Sequence, residues 1–327
     1  MRLFVAGHNA WEQLVFVIDE PTQQKSKGRY LTEPVDVESF TAALDSVGSL
    51  EVICARLTYT LSSCLVSKDN AFLLAGCPPK GPTLLNEEAL QQLAVVHDNG
   101  RDFHILKASL TLGDICETSS PPREFYSPGY IVKQISAYDA GLIILLQNSS
   151  VWVYGDSRYP NCFGGGSSAL PFVSDPPTLP TSSPEFNVRT LHNVAALDDL
   201  PTGRIKKVDA GGYTLAALTE GGDVYSWGGR PGQKPYIEDL WAEPMPLDLD
   251  SDVLDIALGN SHTVILTTAG EVMGRGCNRN GQLGRKPDDS MWLDDWTKLD
   301  IGLNASEKPI SVNAGPYTSF VVTENIP

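Results

Sequence analysis

Apolar residues along the chain fall in runs of four to six, each closed by glycine or by a small polar turn, and not at the three- and four-residue spacing of an amphipathic helix. Leu142 to Leu146 runs into Asn148-Ser149-Ser150, Thr214 to Thr219 into Gly221-Gly222, and Val224 to Trp227 into Gly228. Runs of this length with turn chemistry at their ends predict short antiparallel strands joined by hairpins. The chain reads as all-β.

The runs repeat. Ile205 to Gly228 is IKKVDAGGYTLAALTEGGDVYSWG, and Val253 to Gly276 is VLDIALGNSHTVILTTAGEVMGRG. They align without a gap at an offset of 48, matching Gly211 with Gly259, Leu218 with Leu266, Gly222 with Gly270 and Gly228 with Gly276. Both continue toward a Gly-Gln pair, Gly232-Gln233 and Gly281-Gln282. Weaker copies occupy Ile135 to Gly155 and Ile53 to Gly76, the latter turning at Lys68-Asp69-Asn70, and a degenerate one spans Leu93 to Gly113. A single unit of this kind leaves an apolar face uncovered, so neighbouring units must stack.

The two ends share one unit. Ile310 to Glu324, ISVNAGPYTSFVVTE, is a first half with Gly315 in the place of Gly211 and Gly259. The second half is Arg2 to Leu14, RLFVAGHNAWEQL, with Gly7 in the place of Gly228 and Gly276. A unit completed by both ends predicts a single closed β-propeller over 1–327, its last blade closed by the N-terminal strand. At ~40–50 residues per blade, the expected number is about seven. Clear repeats lie near 131–164, 205–236, 253–284 and 309–327 plus 1–14. The Gly-, Ser- and Pro-rich stretch 165–187 predicts a loop insertion.

The pattern resembles the repeat of the regulator-of-chromosome-condensation family, best in Gly270-Glu-Val-Met-Gly-Arg-Gly276-Cys-Asn278-Arg-Asn-Gly281-Gln282-Leu283-Gly284. None of the six tryptophans is followed by Asp, which sets the pattern apart from WD-type propellers. Within that superfamily the single-domain size and the N-terminal strand entering at Arg2 are similar to the fungal alpha-tubulin suppressor group, the killer-toxin-insensitivity proteins. That resemblance implies a non-catalytic scaffold in a heterodimer with a small zinc-binding protein. The pair would serve Elongator-dependent wobble-uridine modification of transfer RNA and diphthamide synthesis on elongation factor 2. The founding member of the superfamily implies the alternative, a nucleotide-exchange factor for a small GTPase of the Ran type.

Charge narrows the partners. The chain carries 24 basic and 40 acidic residues, a net charge of −16, which opposes direct binding to nucleic acid or an anionic membrane. No apolar run approaches the ~20 residues of a membrane span, and the N-terminus lacks the apolar core of a secretory signal. Six cysteines without a CxxC pair read as free thiols of a reducing compartment, and cytoplasm and nucleus are the expected location.

Catalytic patterns fail one by one. Gly276 to Gly281 has P-loop glycine spacing, but Gln282-Leu283 stands where Lys and Ser/Thr would hold phosphate and Mg²⁺. The five histidines are scattered, with His262 at a repeat turn, and give no metal set. The carboxylate pairs Asp198-Asp199, Asp288-Asp289 and Asp294-Asp295 read as solvated loops. The chain is therefore expected to be no enzyme, with no cofactor, metal or small-molecule substrate. Its expected site is a protein-binding surface. Two segments outside the repeat strands combine tryptophan with acid, one with Glu238, Asp239 and Trp241, the other with Trp292, Asp294 and Trp296. Trp11, where the corner usually has glycine, is a further candidate.

Overall fold

The computed structural model describes residues 1–10, 13–16, 35–54, 64–69, 71–75, 83–85, 94–98, 101–105, 115–117, 123–124, 131–165, 169–170, 189–230, 232, 235–237, 240–286 and 291–326. Within them the chain opens with β1 (Arg2–Gly7) and β2 (Val37–Asp45). Next come β3 (Leu50–Cys54), β4 (Cys64–Lys68), β5 (Ala71–Ala75) and β6 (Thr83–Leu85), hydrogen-bonded in that order. A further sheet holds β7 (Ala94–Asp98), β8 (Arg101–Ile105), β9 (Ile115–Glu117) and β10 (Arg123–Glu124). A five-stranded sheet has β11 (Val132–Tyr138), β12 (Gly141–Leu146), β13 (Val151–Asp156), β14 (Ala169–Leu170) and β15 (Arg189–Asn193) in the order β11-β12-β13-β15-β14.

The best-defined repeats follow. One sheet runs β16 (Ile205–Gly211), β17 (Thr214–Thr219), β18 (Val224–Gly228) and β19 (Met245–Pro246). The next runs β20 (Val253–Leu258), β21 (His262–Thr267), β22 (Val272–Cys277) and β23 (Trp292–Lys298). The chain ends in β24 (Glu307–Gly315) and β25 (Thr318–Asn325), which join the first two strands in the order β2-β1-β25-β24. Arg2 pairs with Thr323 and Gly7 with Thr318, so the N-terminal strand does complete the C-terminal unit. The described residues thus form six antiparallel sheets, which take in all three weaker copies.

Three of the repeats turn on the same corner. After the third strand the chain passes through glycine at φ +109° (Gly228), +102° (Gly276) or +114° (Gly7), a region L side chains rarely adopt. A Cβ there would drive into the carbonyl oxygen of the preceding hairpin turn, at Tyr213, Ser261 and Tyr317 respectively. The following residue donates its N–H to that same carbonyl: Gly229 to Tyr213 at 2.7 Å, Cys277 to Ser261 at 2.7 Å, His8 to Tyr317 at 3.0 Å. The Asn and Gln-Leu of the motif brace the loop beyond. Asn278 Oδ1 accepts the Leu283 N–H, and Asn9 Oδ1 accepts the Leu14 N–H, both at 2.9 Å, while Leu14 and Leu283 are fully buried.

Side chains also dress the open edge of the first strand in a sheet. Gln134 on β11 donates from Nε2 to the Val208 carbonyl (2.8 Å) and accepts the Val208 N–H at Oε1 (3.1 Å), standing in for a neighbouring strand on β16. Ser136 donates to Asp209 Oδ1 (2.6 Å) and accepts the Ala210 N–H (3.2 Å). Asp255 on β20 does the same work for β24, accepting the Val312 N–H at 2.9 Å. Second strands β12, β17 and β21 are buried along their whole length, as sheets covered on both faces require.

The chain divides into two compact units: Met1–Val95 with Lys234–Glu238 and Leu249–Pro327, and Val96–Gln233 with Asp239–Asp248. The first holds two apolar clusters, around Leu3, Val5 and Phe320 and around Val264, Leu266 and Leu283. The second holds one, around Ile143, Leu215 and Trp227. Part of the expected insertion is strand: Ala169–Leu170 pairs with Leu191 and His192, because two apolar residues between Ser168 and Pro171 suffice for a short edge. The remainder, 166–168 and 171–187, lies outside the described residues.

Candidate interface

The predicted surface residues separate into three cases. Trp241 is 60% exposed, and its backbone is fixed, because its carbonyl accepts the Gly228 N–H at 2.9 Å. Trp292, Asp294 and Trp296 share β23, which corrects the expectation that they lie outside the repeat strands. Their segment pairs Trp292 with Cys277 and Leu293 with Gly276 before the register shifts. Thr297 then faces Gly274, so Asp294, Asp295 and Trp296 stand opposite the single residue Arg275. This bulge sits on the outer strand of its sheet, where acid is tolerated because the far side has no strand neighbour. Asp294 is exposed and both tryptophans are half-buried. Glu238, Asp239 and Trp11 lie outside the described residues.

A group that sequence reasoning missed forms at the β16–β17 turn. Tyr213 at its apex packs against Tyr159, ring centroids 4.8 Å apart and inclined at 43°. The Arg230 guanidinium lies 5.3 Å from the Tyr213 centroid and that of Arg158 lies 5.8 Å from Tyr159. Arg158 is locked by a two-pronged pair with the buried carboxylate of Asp156, with contacts of 2.6–3.0 Å. Burial, the hydrogen bond with Tyr159 and the charge of Asp139 together raise the Tyr213 hydroxyl, which stays protonated. The turn is held to its neighbour by the Asp139 N–H on the Gly212 carbonyl at 2.6 Å, and by the Cys162 thiol on the Tyr213 carbonyl at 3.6 Å. Burial first, then Asp139, push the Cys162 thiol up to about 12, so it is no nucleophile. The signal in the sequence was an aromatic at a turn apex, where other repeats have Ala140 or Ser261.

In the other unit the equivalent apex, Tyr317, is 43% exposed and meets His8 edge-on at 6.4 Å. Asp36 gathers this corner: it pairs with His8 Nδ1 (3.0 Å) and accepts from the Asn9 N–H (3.0 Å) and Asn280 Nδ2 (3.1 Å). His262, at a repeat turn, reaches the following repeat, where Nε2 lies 3.2 Å from the Thr318 carbonyl and 3.0 Å from Ser319 Oγ. Among the described residues no three His, Cys, Asp or Glu side chains are grouped to hold a metal ion. No helix among them is long and apolar enough to cross a membrane. Gly276 to Gly281 serves as a repeat corner, bonded through Cys277 and Asn278.

A family model for the regulator of chromosome condensation (RCC1) repeat matches residues 205–229 and 253–282. The chain is 27% identical over 247 residues to Ras guanine nucleotide exchange factor C of Dictyostelium discoideum, covering 74% of this chain and 16% of that protein. It is 38% identical over 90 residues to regulator of chromosome condensation of Mus musculus, 26% of this chain and 21% of that one. It therefore spans about a fifth or less of the length of these relatives. The fold matches yeast RCC1 (Prp20) bound to Kap60, with a TM-score of 0.57 at 12% identity over 100% of this chain and 89% of that one. A second Saccharomyces cerevisiae Prp20p structure, described with its binding to Gsp1p and histones, gives 0.55 at 13% identity over 100% and 92%. Repeats and fold likeness together support an RCC1-like propeller.

Proposed function

We propose that the chain is a protein-interaction module with no covalent chemistry of its own, built as a closed propeller whose last blade is sealed by β1. The observation that carries this reading is where the polar chemistry lies. Asn9, Asn278, Gln134 and Asp255 serve corners and edges inside the repeat, whereas Trp241, Arg230 and Tyr317 are offered at turns and loops. A scaffold with rigid corners and exposed aromatic and charged side chains is the composition of a binding surface.

Two kinds of partner follow from different support. The likeness to a Ras guanine nucleotide exchange factor, to regulator of chromosome condensation and to a structure described with Gsp1p favours a small GTPase, with nucleotide exchange as the activity. The resemblance to the fungal alpha-tubulin suppressor group favours the small zinc protein. The roles would then be Elongator-dependent wobble-uridine modification and diphthamide synthesis, in cytoplasm and nucleus. The test mixes the full chain with fluorescent-GDP-loaded Ran-type and Ras-type GTPases, and separately with the zinc protein, reading nucleotide release and size exclusion. Accelerated release identifies an exchange factor; a 1:1 complex with the zinc protein and no release identifies the scaffold. If no stoichiometric protein complex forms with either, and none is recovered from cell extract, the interaction reading fails.

A further inference from the structure

We propose that the outer segment 241–248 docks a basic, extended segment of a protein partner; this rests on the interaction-module reading and adds the residues and the ligand chemistry. The negative charge of the chain is concentrated here. Residues 235–274 hold eight Asp and Glu and no Lys or Arg, so they carry −8 of the net −16. The segment is fixed along β18 at three points. The Trp241 carbonyl accepts the Gly228 N–H at 2.9 Å, Met245 and Pro246 pair with Ser226 and Tyr225, and Leu247 donates to the Val224 carbonyl at 2.8 Å. Alternate side chains are exposed about the buried Pro244: Trp241 (60%), Glu243 and Met245 (45%), with Asp248 beyond. The stem of Glu243 is set against Gly165, where a Cβ would come within 2.7 Å of its Cγ.

An indole face attracts a cation through its negative quadrupole. A carboxylate two residues further on supplies the counter-charge and accepts the hydrogen bonds of a guanidinium or ammonium. Exposure at two-residue spacing matches the side-chain period of an extended peptide, and Met245 offers adaptable apolar surface to the next side chain. The exposed cations of the neighbouring corner are already engaged: Arg158 is paired with the Asp156 carboxylate, and Arg230 lies over Tyr213, on which Asp139 also acts. An acidic segment would meet Glu243 and Asp248 as like charges, and the field of the whole chain opposes it too. Contact runs through side chains, because Pro244 and Pro246 have no N–H with which to extend the ladder outward.

The test uses the full chain and two fluorescein-labelled peptides, one alternating Arg and Val and one alternating Glu and Val, read by anisotropy at physiological salt. The basic peptide should bind saturably with a Kd below about 1 mM. W241A keeps the backbone carbonyl that holds the segment and removes no charge, yet should weaken binding about fivefold or more, while W241F retains most of it. E243Q should weaken binding more than E38Q, which removes the same charge from the exposed Glu38 on β2. No binding of the basic peptide, or equal or tighter binding of the acidic one, overturns the proposal. So does W241A equal to wild type, or E243Q no weaker than E38Q, since binding would then be diffuse attraction to a chain of net −16. A GTPase or zinc protein that binds wild type and W241A alike would leave the interaction reading standing while removing this site from it.

Discussion

At the residue scale the corner glycine is the most demanding position, and the demand is geometric. At Gly276 a side chain faces both a φ of +102° and the Ser261 carbonyl. Strained backbone of this kind is worth about 1–3 kcal/mol by itself, and the collision adds to it. Gly276→Ala should therefore lower the urea unfolding midpoint well beyond Gly270→Ala, where φ is +79° but nothing lies within 4 Å. Equal midpoints for the two variants would mean that the carbonyl contact has no energetic weight. Cysteine chemistry gives a second expectation. With its thiol raised to about 12 by burial, Cys162 should be alkylated by iodoacetamide at pH 8 more slowly than an unfolded thiol by on the order of 10³-fold. Reaction at the free-thiol rate, followed by peptide mass spectrometry, would contradict the buried placement.

At the scale of elements, edges decide stability. Gln134 satisfies both backbone groups of Val208, so Gln134→Ala leaves a donor and an acceptor of β16 without that clasp. A loss of about 1–3 kcal/mol is expected, the range for an unsatisfied buried polar group, measured by denaturant titration. A change within 0.5 kcal/mol would show that solvent replaces the clasp. Across β25, from β1 to β24, the tie is ionic: Arg2 Nη1 sits 2.8 Å from Glu307 Oε1, and Asn304 donates to the other carboxylate oxygen. Burial pushes the Glu307 carboxyl up, but the bonds from Arg2 and Asn304 outweigh it and hold the group below its ordinary 4.5. The folded chain then binds this proton more weakly than the unfolded one. The contribution is whole above the ordinary value and is lost as pH falls through the lowered one. Arg2→Gln should remove most of it, so the difference in unfolding midpoint between wild type and variant shrinks between pH 6 and pH 3. A difference independent of pH would rule out the ionic account.

At the scale of the whole molecule, legibility in the sequence followed stringency. Glycine at 7, 228 and 276 is required by one corner, so the repeat aligns and the two ends fall into one unit on sequence alone. The repeat in residues 15–130 departs from the consensus, so only weak copies align there, although β3–β6 and β7–β10 each hydrogen-bond as a sheet. The Trp292 segment was misplaced for a related reason, since acid in an outer strand looks like acid in a loop. Trp241 was visible as an exposed aromatic among acids, but the Tyr159–Tyr213–Arg230 stack was not. It depends on which distant turns the sheets bring together, and spacing carries no record of that. The shared last unit has its own consequence. β1 is a central strand, paired with β25 on one side and β2 on the other, so each of its N–H groups points at a neighbour. Val5 is fully buried opposite Phe320 and Thr41. Val5→Pro deletes a ladder donor and wedges a ring between two strands, whereas Val5→Thr keeps the backbone and the shape. The proline variant should lose amide-exchange protection across Phe320 to Val322 and unfold at markedly lower denaturant than the threonine variant. Native protection of those amides in Val5→Pro would mean that β25 is held by β24 alone, and that the N-terminal strand adds nothing to the unit it completes.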